Sequence, residues 1–248
     1  MSKQTSTWYS ERVGQDVTVS RWGEVGRPLL VFPTAGGDAE EGERFHLIDA
    51  ISDSLADCKV KAYAVDSIAG QAWTRRGATL HEAARMQNCF DELVVQEVVP
   101  AIRADCGVAV GEPLEIAVAG ASIGAFNALS TLCRHPDLFS VAICMSGTYD
   151  LRKFVPGPPI PEYVAASPLH FVPEIDENSQ HLARLRERFV LLAHGEGKWE
   201  SPDESWRVAD VLGSRGIPNR VDAWGSEWDH DWVTWREMLP RYLSELMG

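Results

Sequence analysis

The sequence predicts an α/β protein built on one mostly parallel, doubly wound sheet with helices on both faces. Short apolar runs recur along the 248 residues, and each is bounded by Gly, Pro or polar residues, as is typical of strands covered on both faces. Segments with helical spacing lie between these runs, and such alternation produces parallel sheets. No composition shift and no internal repeat divides the chain, so we predict a single domain over residues 1–248.

Six strands are predicted from the apolar runs. They are Pro28–Phe32, Val60–Val65, Leu114–Ala119, Ser140–Met145, Phe189–Ala193 and Arg220–Trp224. Two helices are indicated most clearly, because apolar residues share one helical face from Phe90 to Ile102 and another from Trp232 to Leu246.

Residues 149–178 interrupt this alternation. They contain six of the 14 prolines in the chain, and proline removes a backbone donor that both a helix and a central strand need. We therefore predict an irregular excursion here. Long excursions in compact domains often serve as a lid or a binding loop, and we expect that role for this one.

Composition and charge narrow the possible functions. The net charge of −13 is spread along the chain, which predicts neither a nucleic-acid partner nor a membrane partner. No apolar run reaches the roughly 18 residues of a membrane span, and the first twelve residues lack the apolar segment of a secretory signal. The five cysteines form no CxxC pair and no metal-like spacing with histidines, so we predict reduced thiols, a cytoplasmic location, no metal and no cofactor.

The stretch VAGASIGAF places Ser122 between Gly120 and Gly124, where a predicted strand leads into a helix. This G-x-S-x-G setting is typical of a nucleophile elbow, a turn so sharp that side chains two residues before and after the serine would collide. The N–H of Ile123 and the helix N-terminus could stabilise negative charge on a tetrahedral intermediate. A P-loop is excluded because no lysine follows the glycines. The alternative is a glycine-rich turn with an inert serine.

A nucleophilic serine requires a base, and five histidines follow Ser122 in the sequence. They are His135, His170, His181, His194 and His230. Only His230 lies on a loop between the last predicted strand and the last predicted helix, which is where a chain with the order serine, acid, histidine places its base. We therefore predict His230 as the base.

The predicted acid lies in HGEGKWESPDES, the loop after the strand that ends at Ala193. Ser201, Pro202 and Glu204 have the pattern of a helix start with a capping box, which gives Asp203 and Glu204 structural roles. Glu196 and Glu200 remain as candidates, and local sequence does not choose between them.

The second oxyanion donor is expected after an early strand, in VFPTAGGDAEE. Ala35, Gly36 and Gly37 are small enough to let backbone N–H groups approach a substrate oxygen. Most tryptophans near the predicted base have core spacing, and we expect Trp199 and Trp228 to line the substrate pocket together with Ala35 and Gly37.

Six segments have a recognisable pattern: VFPTAGGD, AYAVDS, EVVPAIR, GASIGAFNAL, HPDLFSVAICMSGTYDL and WDHDWVTWREMLPRYL. Together they resemble the Putative esterase family of α/β-hydrolases, which includes esterase D-like enzymes, feruloyl esterases and mycolyltransferases. The resemblance implies an α/β-hydrolase fold, Ser122 as nucleophile and His230 as base. Comparison with the family's acid loop favours Glu200, and the same comparison favours Gly36 and Ile123 as oxyanion donors.

These expectations combine into a serine esterase that cleaves a carboxylic ester through an acyl-enzyme. The expected substrate is a small-molecule or glycosyl ester. Two alternatives stay open at this point: an acyltransferase with the same three residues, and a non-catalytic binding protein on the same fold.

Overall fold

The computed structural model describes residues 2–109 and 111–248 and contains one eight-stranded sheet in the order β1-β2-β4-β3-β5-β6-β7-β8. The strands are β1 (Lys3–Ser10), β2 (Gln15–Trp22), β3 (Arg27–Phe32), β4 (Val60–Val65), β5 (Ile116–Ala121), β6 (Phe139–Met145), β7 (Phe189–His194) and β8 (Asn219–Ala223). In this order, each strand from β4 through β3 to β8 is parallel to the next one. The pairs β1–β2 and β2–β4 are antiparallel. The mostly parallel sheet predicted from the sequence is confirmed.

Helices cover both faces of this sheet. They are α1 (Glu41–Arg44), α2 (Leu47–Ala50), α3 (Ser52–Ala56), α4 (Ile68–Thr74), α5 (Leu80–Leu93), α6 (Val99–Asp105), α7 (Ile123–Arg134), α8 (Pro161–Ala166), α9 (Pro168–Phe171), α10 (Gln180–Leu185), α11 (Pro202–Ser214) and α12 (Trp232–Met247). A π-helical turn, Val94–Val98, joins α5 to α6, and 3₁₀ turns occupy Leu151–Lys153 and Val172–Glu174. Helices α5, α7 and α11 pack on one face, and α2, α3 and α12 pack on the other.

The hairpin of β1 and β2 was not predicted from the sequence. Strand β1 lies at the edge of the sheet, and most of its side chains are exposed and polar. It therefore lacks the apolar run by which the other strands are recognised. The remaining strands agree with the prediction to within two residues at each end.

The Pro-rich segment contains more regular structure than predicted. Helices α8 and α9 begin at Pro161 and Pro168, so the prediction that this segment forms no helix was wrong. Proline is well tolerated at the first helical position, where its missing N–H would have no intrahelical partner. These prolines therefore start short helices instead of preventing them.

Hydrogen bonds to Asp150 stabilise the beginning of the same segment. Its carboxylate accepts hydrogen bonds from Arg152 Nε at 2.9 Å, Arg152 Nη2 at 2.7 Å and the Tyr163 hydroxyl at 3.0 Å. The Arg152 guanidinium is the main cause that lowers the pKa of Asp150 from 3.8 to about 2. The ionised carboxylate is thus favoured in the folded protein.

We expect Asp150→Asn to lower the free energy of unfolding at pH 7 by about 1–2 kcal/mol, because a depressed carboxyl pKa stabilises the fold at pH values above the unfolded pKa. The difference from the parent protein should shrink as the pH falls from 4 toward 2, which urea unfolding at several pH values would measure. Asp137→Asn is the matched control, since the Asp137 side chain is 77% exposed and, among the described residues, its ion pair is with Arg184. An equal effect of the two substitutions would contradict the prediction.

Candidate active site

Ser122 lies at a sharp turn between β5, which ends at Ala121, and α7, which begins at Ile123. Its backbone has a φ of 57° and a ψ of −122°, a region that non-glycine residues rarely occupy. A Cβ on Gly120 would lie 2.3 Å from the carbonyl oxygen of Gly124, and a Cβ on Gly124 would lie 2.3 Å from that of Phe32. Both positions therefore require glycine, and the turn has the geometry of a nucleophile elbow.

Backbone hydrogen bonds tie this elbow to the neighbouring strand ends. Ser122 N–H donates to the Met145 carbonyl at 3.1 Å, and Thr148 N–H donates to the Ser122 carbonyl at 3.1 Å. Beyond them, Ser146 N–H donates to the Ala193 carbonyl at 2.7 Å. The carboxyl ends of β5, β6 and β7 are thus held in a defined relation to each other.

His230 and Glu200 meet beside these strand ends. The distance from His230 Nδ1 to Glu200 Oε2 is 3.7 Å, and the side chains are 21% and 2% exposed respectively. Their loops are joined by His230 N–H donating to the Lys198 carbonyl at 3.0 Å and by Lys198 N–H donating to Asp229 Oδ1 at 2.6 Å. Glu196 points its side chain to solvent, so of the two candidate acids it is Glu200 that lies against His230.

Ser146, which sequence reasoning did not assign to the site, bonds the Glu200 carboxylate and is itself bonded by Trp235. Ser146 Oγ donates to Glu200 Oε1 at 2.5 Å, and Trp235 Nε1 donates to Ser146 Oγ at 2.9 Å. The Trp235 ring also meets the His230 ring edge to face, with centroids 5.2 Å apart. Trp235 lies within the apolar helical face predicted from Trp232 to Leu246 and is buried. It also connects the His230 ring to Ser146, which supports the candidate acid.

Removing the Ser146 hydroxyl should impair the site without removing any candidate catalytic group. Ser146→Ala leaves a carboxylate oxygen of Glu200 and the indole N–H of Trp235 buried without a partner. We expect kcat/KM for an ester to fall by about 10- to 100-fold, the usual range for a hydrogen bond to a charged group.

Ser205→Ala is the matched control for this substitution. Ser205 is 1% exposed, and its hydroxyl has no hydrogen-bond partner among the described residues, so its loss should leave kcat/KM unchanged. Full activity of the Ser146→Ala protein would show that Glu200 does not need this donor.

The loop after β3 is organised by Glu41, another residue that sequence reasoning missed. The Glu41 carboxylate accepts Thr34 N–H at 2.7 Å and Thr34 Oγ1–H at 2.6 Å. Glu41 is 6% exposed, and burial raises its pKa, an effect that the two bonds from Thr34 oppose. A Cβ on Gly37 would lie 2.4 Å from this carboxylate. Glycine at position 37 therefore leaves the space that the Glu41 carboxylate occupies.

Gly36 is exposed, and a Cβ at this position would meet no atom within 4 Å. Within residues 2–109 and 111–248, the N–H groups of Gly36 and Ile123 donate to no protein acceptor. In the same residues, no hydrogen bond joins Ser122 Oγ to His230. Catalytic hydrogen bonds are often long in ligand-free proteins and tighten when substrate binds.

The other pocket candidates have different surroundings. Ala35 lies against α4, and a Cβ on Gly70 of that helix would come within 2.9 Å of the Ala35 carbonyl oxygen. Trp199, beside Glu200, is 77% exposed and has a φ of 68°. Trp228 packs edge to face on Trp224 with centroids 5.0 Å apart. The roles of Ala35, Trp199 and Trp228 in a substrate pocket stay predictions.

The capping box predicted at the start of α11 is absent. Ser201 makes no side-chain cap hydrogen bond, and Pro202 is the first helical residue as predicted. The Glu204 carboxylate instead accepts the N–H groups of Tyr149 at 2.9 Å and Asp150 at 3.1 Å. The prediction was wrong because a distant loop supplies two donors that satisfy Glu204 better than one local amide.

The part of the chain that contains Ser122, Glu200 and His230 matches a known protein family. The model of the family described as "Putative esterase" matches residues 62–246, which is well over half of the chain. The chain belongs to this esterase family. It is accordingly a carboxylic ester hydrolase. The match includes Ser122, Glu200 and His230 but begins after the Gly36 loop.

Solved structures of three other proteins share the fold of this esterase over nearly the whole chain. A ferulic acid esterase is 18% identical, with a TM-score of 0.71 and coverage of 99% of this chain and 97% of its own. Mycobacterium tuberculosis MPT51 is 15% identical, with a TM-score of 0.73 and coverage of 100% and 98%. The Staphylococcus aureus S-formylglutathione hydrolase is 12% identical, with a TM-score of 0.67 and coverage of 100% and 96%.

These identities establish the α/β-hydrolase fold and leave the substrate open. No curated protein matches the sequence. Within the described residues, none of the helices has the length and apolar character needed to span a membrane.

Proposed function

We propose that this esterase cleaves a small-molecule or glycosyl ester with Ser122 as nucleophile, His230 as general base and Glu200 as the acid that orients His230. The observation that carries the proposal is the contact of a buried Glu200 with His230 beside the strand ends that hold the elbow. The order serine, acid, histidine along the chain is the one expected for this fold.

In the first step the Ser122 hydroxyl attacks the ester carbonyl carbon while His230 Nε2 takes its proton. Glu200, on the Nδ1 side of the ring, stabilises the imidazolium that forms. The tetrahedral intermediate collapses when the C–O bond to the alcohol breaks, and His230 gives its proton to the departing alkoxide. An acyl group is left on Ser122 Oγ.

In the second step a water molecule loses a proton to His230 and attacks the acyl carbon. The bond from the acyl carbon to Ser122 Oγ then breaks, His230 returns the proton to Oγ, and the carboxylic acid leaves. The negative charge on the carbonyl oxygen in both steps needs hydrogen-bond donors. The N–H groups of Ile123 and Gly36 have no protein acceptor among the described residues, which supports their use as the oxyanion hole.

The segment 149–178 is proposed as a substrate-binding surface or lid. It begins directly after Thr148, whose N–H bonds the Ser122 carbonyl, so the segment starts at the elbow itself.

A cytoplasmic location belongs to the same proposal and is supported by five cysteines that are all free thiols.

An alkyl fluorophosphonate probe tests the nucleophile, since it reacts only with a serine that a base has activated. We expect one adduct per chain, located on the tryptic peptide that contains Ser122, and loss of labelling in His230→Ala. A label on another serine, or no label on a folded protein, would contradict the proposed function.

A further inference from the structure

A small apolar cavity lies at the carboxyl ends of four neighbouring strands. The ends of β3, β4, β5 and β6 contribute to it through Phe32, Ala64, Ala121 and Met145 respectively. Helix α2 and the first residue of α12, Trp232, form the opposite wall. The cavity therefore touches the residue before Ser122 and the loop that leads to Gly36.

The topology of the sheet makes this a favourable place for a ligand. The chain passes from β3 to β4 on one side and later places β5 on the other side of β3, so the order of strands reverses between β3 and β5. Ligands of open α/β sheets bind at the carboxyl ends of the strands where such a reversal occurs. The cavity lies at this reversal.

The lining of the cavity determines the chemistry of the group that it can hold. Apart from Thr34 and Glu41, its side chains are apolar, and the Thr34 hydroxyl and Glu41 carboxylate are bonded to each other. The Thr34 hydroxyl is thus occupied by Glu41, and a carboxylate in the ligand would meet the carboxyl group of Glu41. An uncharged hydrocarbon chain fits these surroundings.

The size of the cavity sets the length of that chain. The cavity has a volume of about 20 Å³. A cavity needs about 10–15 Å³ to hold one water molecule. One or two carbon atoms beyond a carbonyl carbon would therefore fill it. Trp232 closes the outer side, and its ring is stacked on Phe45 with centroids 4.7 Å apart and planes inclined by 2°.

We propose that this cavity is the acyl-binding pocket of the esterase and that it selects short, unbranched acyl groups of about two or three carbons. The inference rests on the proposed function, because it places the ester carbonyl between Ser122 and the Gly36 loop with its acyl chain directed into the cavity. Trp232 is the residue that limits chain length, and Ala64 leaves the room that the chain occupies.

The test compares kcat/KM for p-nitrophenyl acetate, propionate, butyrate and hexanoate. In the parent protein kcat/KM should fall at least about 10-fold from the best short ester to hexanoate, because each unaccommodated methylene in an apolar pocket is costly. Trp232→Ala should raise the hexanoate-to-acetate ratio at least about 10-fold. Ala64→Val changes the cavity in the opposite direction and should lower the propionate-to-acetate ratio.

Trp206→Ala is the matched control, since Trp206 lies on α11 away from the cavity, is 51% exposed, and should leave all four values of kcat/KM unchanged. Equal kcat/KM values from acetate to hexanoate in the parent, or unchanged ratios in both cavity variants, would overturn the acyl pocket while ester cleavage itself stands. Absence of ester cleavage together with absence of fluorophosphonate labelling would instead overturn the proposed function, and the pocket with it.

Discussion

Ser122→Ala should reduce turnover of p-nitrophenyl acetate by about 10³- to 10⁶-fold, because alanine has no atom that can form the acyl-enzyme. His230→Ala should cost a similar factor, since a serine hydroxyl is a weak nucleophile unless a base removes its proton. The double variant should be about as inactive as either single variant, because the two residues act as one unit.

Initial rates of p-nitrophenol release measure this prediction, and circular dichroism checks that each variant is folded. His46→Ala is a control for the base, since the His46 side chain is 66% exposed and, within the part of the chain that the structure describes, bonds the surface residue Asp49. If Ser122→Ala kept a tenth of the parent activity or more, the elbow would be a turn without a catalytic role.

Gly124→Ala should destabilise the fold by about 3 kcal/mol or more, because the new methyl group would lie 2.3 Å from the Phe32 carbonyl oxygen and 2.7 Å from that of Pro33. Both contacts are with backbone atoms. Phe32 is also in register with Gly120 in the β3–β5 ladder, so the obstacle cannot rotate away as a flexible side chain would.

Thermal or urea unfolding measures the loss. Gly213→Ala is the control, since Gly213 lies inside α11 and a Cβ there would meet no atom within 4 Å. That substitution should stabilise the protein by about 0.5–1 kcal/mol, because alanine is a better helix former than glycine. Comparable stability of the Gly124→Ala and parent proteins would mean that β3 and the elbow are not in close contact.

The elements that were predicted well are those whose signal lies within a few residues of sequence. The buried parallel strands are apolar runs, and the elbow is recognisable from Gly120, Ser122 and Gly124 because local steric crowding dictates its glycines. The β1–β2 hairpin has no comparable signal, since an exposed edge strand needs no apolar side chains.

The acid candidate shows where local information ends. Glu196 and Glu200 lie in the same loop, Glu196 between two glycines and Glu200 between Trp199 and Ser201. Only the pairing of residues 197–198 with residues 228–230 turns Glu200 toward His230 and leaves Glu196 in solvent. That pairing joins segments about thirty residues apart, so no local pattern contains it.

Long-range contacts also explain the predictions that failed or were not made. Glu204 bonds the N–H groups of residues 149 and 150 in preference to its own helix start, because two donors satisfy a carboxylate better than one. Ser146 and Trp235 are 89 positions apart in the chain, and their hydrogen bond exists only because β6 and α12 meet at the same end of the sheet.

The sequence by itself determined the parallel sheet, the sharp turn at Ser122 and the loop position of His230, because periodicity and backbone sterics act over a few residues. The tertiary structure alone decided that Glu200 contacts His230, that Ser146 and Trp235 support it, and that a small apolar cavity opens between β3 and β5. These features depend on which strand ends become neighbours, and that is a property of the assembled sheet.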